Sequence, residues 1–175
     1  MLDLGVDSRM VTKHKEEPDD TVVRLFRSNL LEPGGLAQPR SKPARHAMES
    51  VPFLYREFLQ RRLHGRWKPN TLFNYNLSFI SLPKIATLVE SADVVCLHSI
   101  QYFLSSSIVK EIAALSGAPL VWTLMDVEPF TGGCHFNNRC DGYVKGCGNC
   151  PQLGVSDPRD LSRAIWAQKE ADLAG

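Results

Sequence analysis

Four of the chain's five cysteines fall within seventeen residues, in TGGCHFNNRCDGYVKGCGNCPQL, as Cys134, Cys140, Cys147 and Cys150 with spacing C-x5-C-x6-C-x2-C. The segment follows directly on the apolar run PLVWTLMD, so a loop dense in thiols is mounted at the C-terminal end of a predicted strand. Open α/β sheets place their ligand crevice at that end of their strands. A loop of about twenty residues, rich in Gly and Asn and poor in apolar groups, has little core of its own to offset the entropy of ordering it. The cysteines are therefore expected to do that ordering, in a functional loop.

Composition bounds the rest. A chain of 175 residues with 43% hydrophobic and 22% charged residues can bury a real core, and one domain spanning residues 1–175 is expected. A formal net charge of +1 gives no global pull toward nucleic acid. No apolar run approaches the ~18 residues that would span a bilayer. The start, MLDLGVDSRMVTKHKEE, lacks the basic-then-apolar pattern of a secretory signal, so the expected location is cytoplasmic. In a reducing compartment a dense cysteine group points to a metal site before disulfides.

Strands and helices alternate along the chain. Val6 to Val11 and Thr21 to Phe26 read as short β runs separated by HKEEPDD. Residues 32–41, with Pro33, Gly34, Gly35 and Pro39, read as loop. A helix is predicted from about Pro43 to His64, with Met48, Val51, Tyr55, Phe58, Leu59 and Leu63 on one face and Pro52 as a kink or restart. NTLFNYN reads as a short strand. SLPKIATLVES places Leu82, Ile85, Leu88 and Val89 on one helical face, with Ser81 as N-cap. DVVCLH is a continuous apolar run of the kind a strand buried on both faces requires, which makes Cys96 a core residue. Leu104, Ile108, Ile112 and Leu115 mark a helix closed by Gly117, and LVWTL is the next strand, completing a βαβ unit. Asp157 is the expected cap of a last helix carrying Leu161, Ile165 and Trp166.

For the cysteines, the metal reading is one structural zinc held by four thiolates in a closed tetrahedron. Cys147 and Cys150 form the tight knuckle; Cys134 and Cys140 are spaced more loosely than in a standard zinc ribbon, and His135 is an alternative ligand to one sulfur. Free or redox thiols and an iron–sulfur cluster are the other readings, although a redox C-x-x-C belongs at the start of a helix and CGNC lies deep in a loop.

The string W-T-L, D, P-F-T-G-G-C-H, C, C-G-x-C-P-Q-L, together with ADVVCLHSIQYFLS and DLSRAIWAQKEA, resembles the N-terminal half of bacterial family-4 glycosyltransferases of surface polysaccharide synthesis, proteins of GT-B fold with two Rossmann-like domains. The resemblance implies an α/β domain with a Rossmann-like parallel sheet and helices on both faces, incomplete here. It implies that the first strand and its glycine-rich turn would precede Met1, and that a C-terminal, donor-binding domain with an E-x7-E pair of carboxylates is absent. The chain is thus expected to be the acceptor-side fragment of an enzyme, inactive by itself, carrying a Cys-rich loop at residues 131–153.

The resemblance also assigns candidate residues. Where the family has histidine then aspartate after the WTL strand, this chain has Met125 and Asp126, and a thioether can neither titrate nor donate a strong hydrogen bond. Glu128 replaces the family's tryptophan before Pro129. Asp126 and Glu128, two apart at a strand end, are the catalytic candidates, the alternative being a capping aspartate and a solvated glutamate. His98, Thr131, Gly132, Gly133 and His135 are candidate acceptor contacts, the glycines offering unobstructed amides or, alternatively, only a turn with positive φ.

The implied function is transfer of a sugar from a nucleotide-sugar donor to a saccharide or lipid-linked acceptor. The alternative is a non-catalytic, zinc-stabilised binding module. Nucleic acid is not an expected partner, because only Arg139 and Lys145 are basic around the cysteines. Arg40, Lys42, Arg45, Arg56, Arg61, Arg62, Arg66 and Lys68, set against only Glu49 and Glu57 and interleaved with aromatic residues, suggest peripheral contact with an anionic inner membrane face, or else an ordinary solvated helix face.

Overall fold

The computed structural model describes residues 5–12, 19–24, 72–78, 80 and 82–174. The expected loop at 32–41, the helix at 43–64, the Ser81 cap and the basic stretch at 40–68 lie outside the described residues. Within them the chain is a mixed α/β structure with two small parallel sheets. Strands β1 (Met10–Thr12) and β2 (Val22–Arg24) pair in parallel, as do β3 (Val95–His98) and β4 (Leu120–Thr123). The helices are α1 (Leu82–Val89), α2 (Ser106–Ser116) and α3 (Leu161–Leu173).

The β3-α2-β4 unit is the one expected from the apolar periodicity. The Ser105 side chain caps α2 by accepting the Ile108 N–H at 3.4 Å, and Gly117 ends it at φ 61°, its N–H returning to the Ala113 carbonyl. Ile85 and Val89 of α1, Leu97 of β3, and Val109 and Ile112 of α2 meet with Ile100 and Leu104 in one buried cluster. Leu88, Trp122, Val11 and Val23 pack against it, so β1 and β2 feed the same core. The buried stripe of α2 runs through Val109 and Ile112, whereas Leu115, expected on it, is exposed.

Several elements depart from expectation. β1 starts at Met10 rather than Val6, because a strand extends only where it has a partner and the pairing begins with Met10 opposite Val22. Among the described residues of NTLFNYN, 72–76, the strand contact is an isolated antiparallel bridge between Phe73 and Cys134, and Asn76 at φ 55° leaves the extended region. The apolar run DVVCLH is not buried on both faces. Leu97 is buried, while Cys96 and its register partner Val121 are exposed, Val121 at 51%. Cys96 is therefore not a core residue: a strand alternates its side chains, and Cys96 points away from the side that α1 and α2 cover. Among the described residues, no helix covers that second face.

α3 is capped by Asp160, three residues beyond the expected Asp157. Asp157 instead shapes the preceding turn, accepting the Arg159 N–H at 2.8 Å on its side chain. The Asp160 carboxylate accepts the Arg163 N–H at 3.1 Å. α3 packs on α2 and on the 3-10 turn Glu128–Phe130 that follows β4, and so reaches the base of the cysteine loop.

Candidate functional site

β4 ends at Thr123, and the chain turns through Met125, which is 68% exposed, into Asp126. Asp126 is a junction. One carboxylate oxygen accepts the Glu128 N–H at 2.8 Å, which starts the 3-10 turn; the other lies 2.8 Å from His135 Nδ1 and 3.4 Å from Gln101 Nε2. An ionised carboxylate only accepts, so Nδ1 carries the proton and Nε2 of a neutral imidazole keeps a lone pair. His135 is 6% exposed and stacks on Tyr102 with ring centroids 6.1 Å apart. Its carbonyl accepts the Val127 N–H at 3.3 Å, and its Nε2 is buried without a hydrogen-bond partner among the described residues. A buried nitrogen in that state is unusual.

Glu128 does not share that environment. It is 1% exposed, and its carboxylate turns inward to an ion pair with Lys169 of α3 and to Asn74 Nδ2 at 2.8 Å. The Lys169 ammonium also donates to the carbonyls of Glu128 at 2.8 Å and Thr131 at 3.1 Å, so each of its three N–H groups has an acceptor. Burial pushes the Lys169 pKa down, and the Glu128 carboxylate opposes that shift. The expectation of two carboxylates aimed the same way is thus replaced by a divergence: Asp126 faces His135, Glu128 faces Lys169. The solvated-glutamate alternative is corrected as well, because Glu128 closes a buried bridge between the turn and α3.

Thr131, Gly132 and Gly133 are all buried, and their polar groups are engaged internally. Thr131 Oγ1 lies 2.8 Å from the Cys134 carbonyl and accepts the Gly133 N–H at 3.3 Å; the Gly132 N–H donates to Cys147 Sγ at 3.2 Å. A Cβ on Gly132 would stand 2.1 Å from the Ser162 carbonyl oxygen, and one on Gly133, at φ 119°, 2.4 Å from that of Asn74. These glycines let the loop press directly on the start of α3 and on the Phe73–Asn74 segment, so they are not the open amides expected for a ligand. His98, at the end of β3 opposite Thr123, is exposed and makes no hydrogen bond to the Asp126–His135 pair among the described residues.

All four loop cysteines are free thiols and line one small cavity of about 20 Å³ together with Thr131, Asn137, Tyr143 and Ser162. The Cys134 thiol donates to Cys150 sulfur; that contact, with burial, pushes the Cys134 pKa up and draws Cys150 down to about 6, where the N–H groups of Leu153 and Gln152 also help. Burial raises Cys147, against the Gly132 N–H. The Gly142 N–H lies 3.4 Å from Cys140 Sγ. As the side chains stand, no three His, Cys, Asp or Glu residues among those described are already in ligating geometry around one ion. The knuckle is fixed to α3 by Asp160, whose second oxygen accepts the Cys150 N–H at 2.7 Å, and by Ser162 Oγ, which accepts the Gly148 N–H at 3.0 Å.

Asn74, Tyr102, Asp160 and Lys169 have no place in a site drawn from motifs alone. A signal for one of them was present: Lys169 falls four residues after Ile165 on the buried stripe Ser162, Ile165, Lys169 of α3, and a lysine there needs a buried acceptor.

The chain is thus a mixed α/β protein with a partly buried aspartate–histidine pair just beyond the end of a parallel strand, beside a four-cysteine loop. A 45-residue segment is 44% identical to the protein described as "Putative colanic acid biosynthesis glycosyl transferase WcaC" of Escherichia coli (strain K12), a match covering 26% of this chain and 11% of that protein. No family model matches the chain, and no solved structure matches it at a significant level.

Proposed function

We propose that this chain is the acceptor-side portion of a nucleotide-sugar-dependent glycosyltransferase of surface polysaccharide synthesis, with the Asp126–His135 pair as the group that meets the acceptor hydroxyl. The segment similarity to a glycosyl transferase supports the class. The observation that carries the residue assignment is the unpartnered His135 Nε2, held by an aspartate 2.8 Å from Nδ1. In the proposed reaction the acceptor oxygen bonds to the anomeric carbon of the donor sugar as the sugar–phosphate bond breaks. The nucleoside diphosphate leaves, and the hydroxyl proton passes to Nε2. Asp126 sets the tautomer and stabilises the imidazolium that forms. With Met125 unable to titrate, His135 supplies the imidazole on this loop. His98 and Asp126 border the acceptor in this reading, whereas Glu128 and Thr131 to Gly133 build the loop. The nucleotide sugar binds in a further, donor-binding part of the enzyme, and the acceptor is a saccharide or lipid-linked saccharide reached from the cytoplasmic membrane face, with the basic stretch at 40–68 as the peripheral membrane contact.

Saturation-transfer NMR of the 175-residue chain with short-prenyl pyrophosphate saccharides tests the reading. Transfer to saccharide protons is expected, with affinity falling about tenfold in Asp126→Ala as a charge-assisted hydrogen bond is lost. If no saccharide receives saturation from a folded chain, the acceptor-side reading fails. A single-stranded oligonucleotide that does receive it would favour a binding module of another kind.

A further inference from the structure

We propose that Cys134, Cys140, Cys147 and Cys150 ligate one zinc ion as four thiolates, a structural site that orders residues 131–153 and holds His135 in place. The proposal stands on the loop's own geometry and does not rest on the glycosyltransferase reading. Three observations carry it.

The fold brings four sulfurs separated by up to sixteen positions to the wall of the same cavity, and that cavity, at about 20 Å³, has room for one ion-sized occupant.

The backbone then points amides at the sulfurs. Gly132 donates to Cys147 at 3.2 Å, Gly142 approaches Cys140 at 3.4 Å, and the N–H groups of Gln152 and Leu153 are directed at Cys150. At Cys140 and Cys150 the donor lies two residues after the sulfur, so the two knuckles share one local design. A neutral thiol is a weak acceptor, and such donors are useful where sulfur carries the negative charge of a metal-bound thiolate. Four thiolates around one Zn²⁺ leave a site of net charge −2. The buried Lys169 ammonium, whose electrostatic neighbours include Cys134 and Cys147, supplies nearby compensation.

The loop's stability supplies the third argument. Its apolar contribution to the second buried cluster is little more than Leu153 and the Cys150 side chain, with Cys134 at the edge; the rest of that cluster comes from Phe73, Tyr75 and Ile165 outside the loop. Cys147 and Asn149 also sit at φ 58° and 50°, a backbone that a non-glycine residue keeps only when its surroundings enforce it. Closing the tetrahedron from the present arrangement requires rotation of thiols about their Cα–Cβ bonds while the backbone stays anchored on α3 by Asp160 and Ser162.

The test is elemental analysis of the full chain purified without chelator, combined with a count of reactive thiols and with cobalt substitution. About one zinc per chain, and the absorption of tetrahedral cobalt–thiolate on exchange, are expected. Cys147→Ser and Cys140→Ser are each expected to lose the metal on dialysis and to lose hydrogen-exchange protection across residues 131–153, with residues 82–123 remaining protected. Cys96→Ser, altering the exposed cysteine on β3, keeps one zinc per chain and shows that the loss is not a general effect of removing a thiol. A metal-free wild-type chain with a protected loop, a Cys134–Cys150 disulfide found before reduction, iron in place of zinc, or full zinc retained in both loop variants would each overturn the proposal.

Discussion

Two regions of this molecule are held together in different ways. Between residues 82 and 123 the structure rests on burial: Ile85, Val89, Leu97, Ile100, Leu104, Val109 and Ile112 form one apolar cluster whose members contribute by area and need no exact partner. From residue 126 to α3 a smaller apolar cluster around Leu153 and Ile165 is joined by buried polar groups, Glu128, Thr131, His135, Asp160, Ser162 and Lys169, each tied by a hydrogen bond or ion pair to a particular neighbour. The first arrangement loses stability by degrees as side chains shrink. The second fails by the loss of one partner, because the group left behind stays buried and charged or unpaired.

Removing one side of the Glu128–Lys169 pair gives the sharpest contrast. Lys169→Met is expected to cost about 3–5 kcal/mol, visible as a fall in the urea midpoint, because it leaves an uncompensated carboxylate at a site that is 1% exposed. Adding Glu128→Gln to that variant should recover part of the loss. If Lys169→Met costs under ~1 kcal/mol, the polar half is not organised around this pair and the comparison breaks. In the apolar half, Ile112→Ala is expected to cost on the order of 3 kcal/mol and Ile112→Val about 1, a graded pair readable in the same denaturation experiment.

Gly132→Ala comes next, at about 1–3 kcal/mol, since its Cβ would meet the Ser162 carbonyl oxygen at 2.1 Å and backbone must move. Hydrogen exchange should show the change at the start of α3 and across the cysteine loop, with β3 and β4 unaffected; exchange that rises evenly over the whole chain would show the two halves to be one cooperative unit. Asp160→Asn is expected to cost about 1–3 kcal/mol, because asparagine keeps one acceptor oxygen for the Arg163 N–H but turns a donor amide toward the buried Cys150 N–H, which loses its acceptor. Equal losses in Asp160→Asn and Asp160→Ala would show that the acceptor for Cys150, and not the cap, is what matters there.

The same division governs how much could be read in advance. α1, α2, β3 and β4 were legible because their apolar spacing is local and repeats, and Gly117 closes α2 by a property of its own backbone. The convergence of the cysteines could be anticipated from their density, and Asp126 and His135 both stood out as candidates. Their mutual contact did not: nine positions separate them, and a loop without periodicity carries no record of which side chains will meet.

The sequence by itself determined the βαβ order, the strand-end position of the cysteine loop and the set of residues able to do chemistry there, since these follow from local pattern and side-chain type. Only the tertiary structure decided that Glu128 turns inward to Lys169, 41 positions away, that Asn74 joins it from 54 positions away, that Asp160 and not Asp157 caps α3, and that Cys96 faces outward. Those outcomes depend on which buried donors find acceptors once the layers pack. That matching is a property of three-dimensional proximity, and no spacing along the chain encodes it.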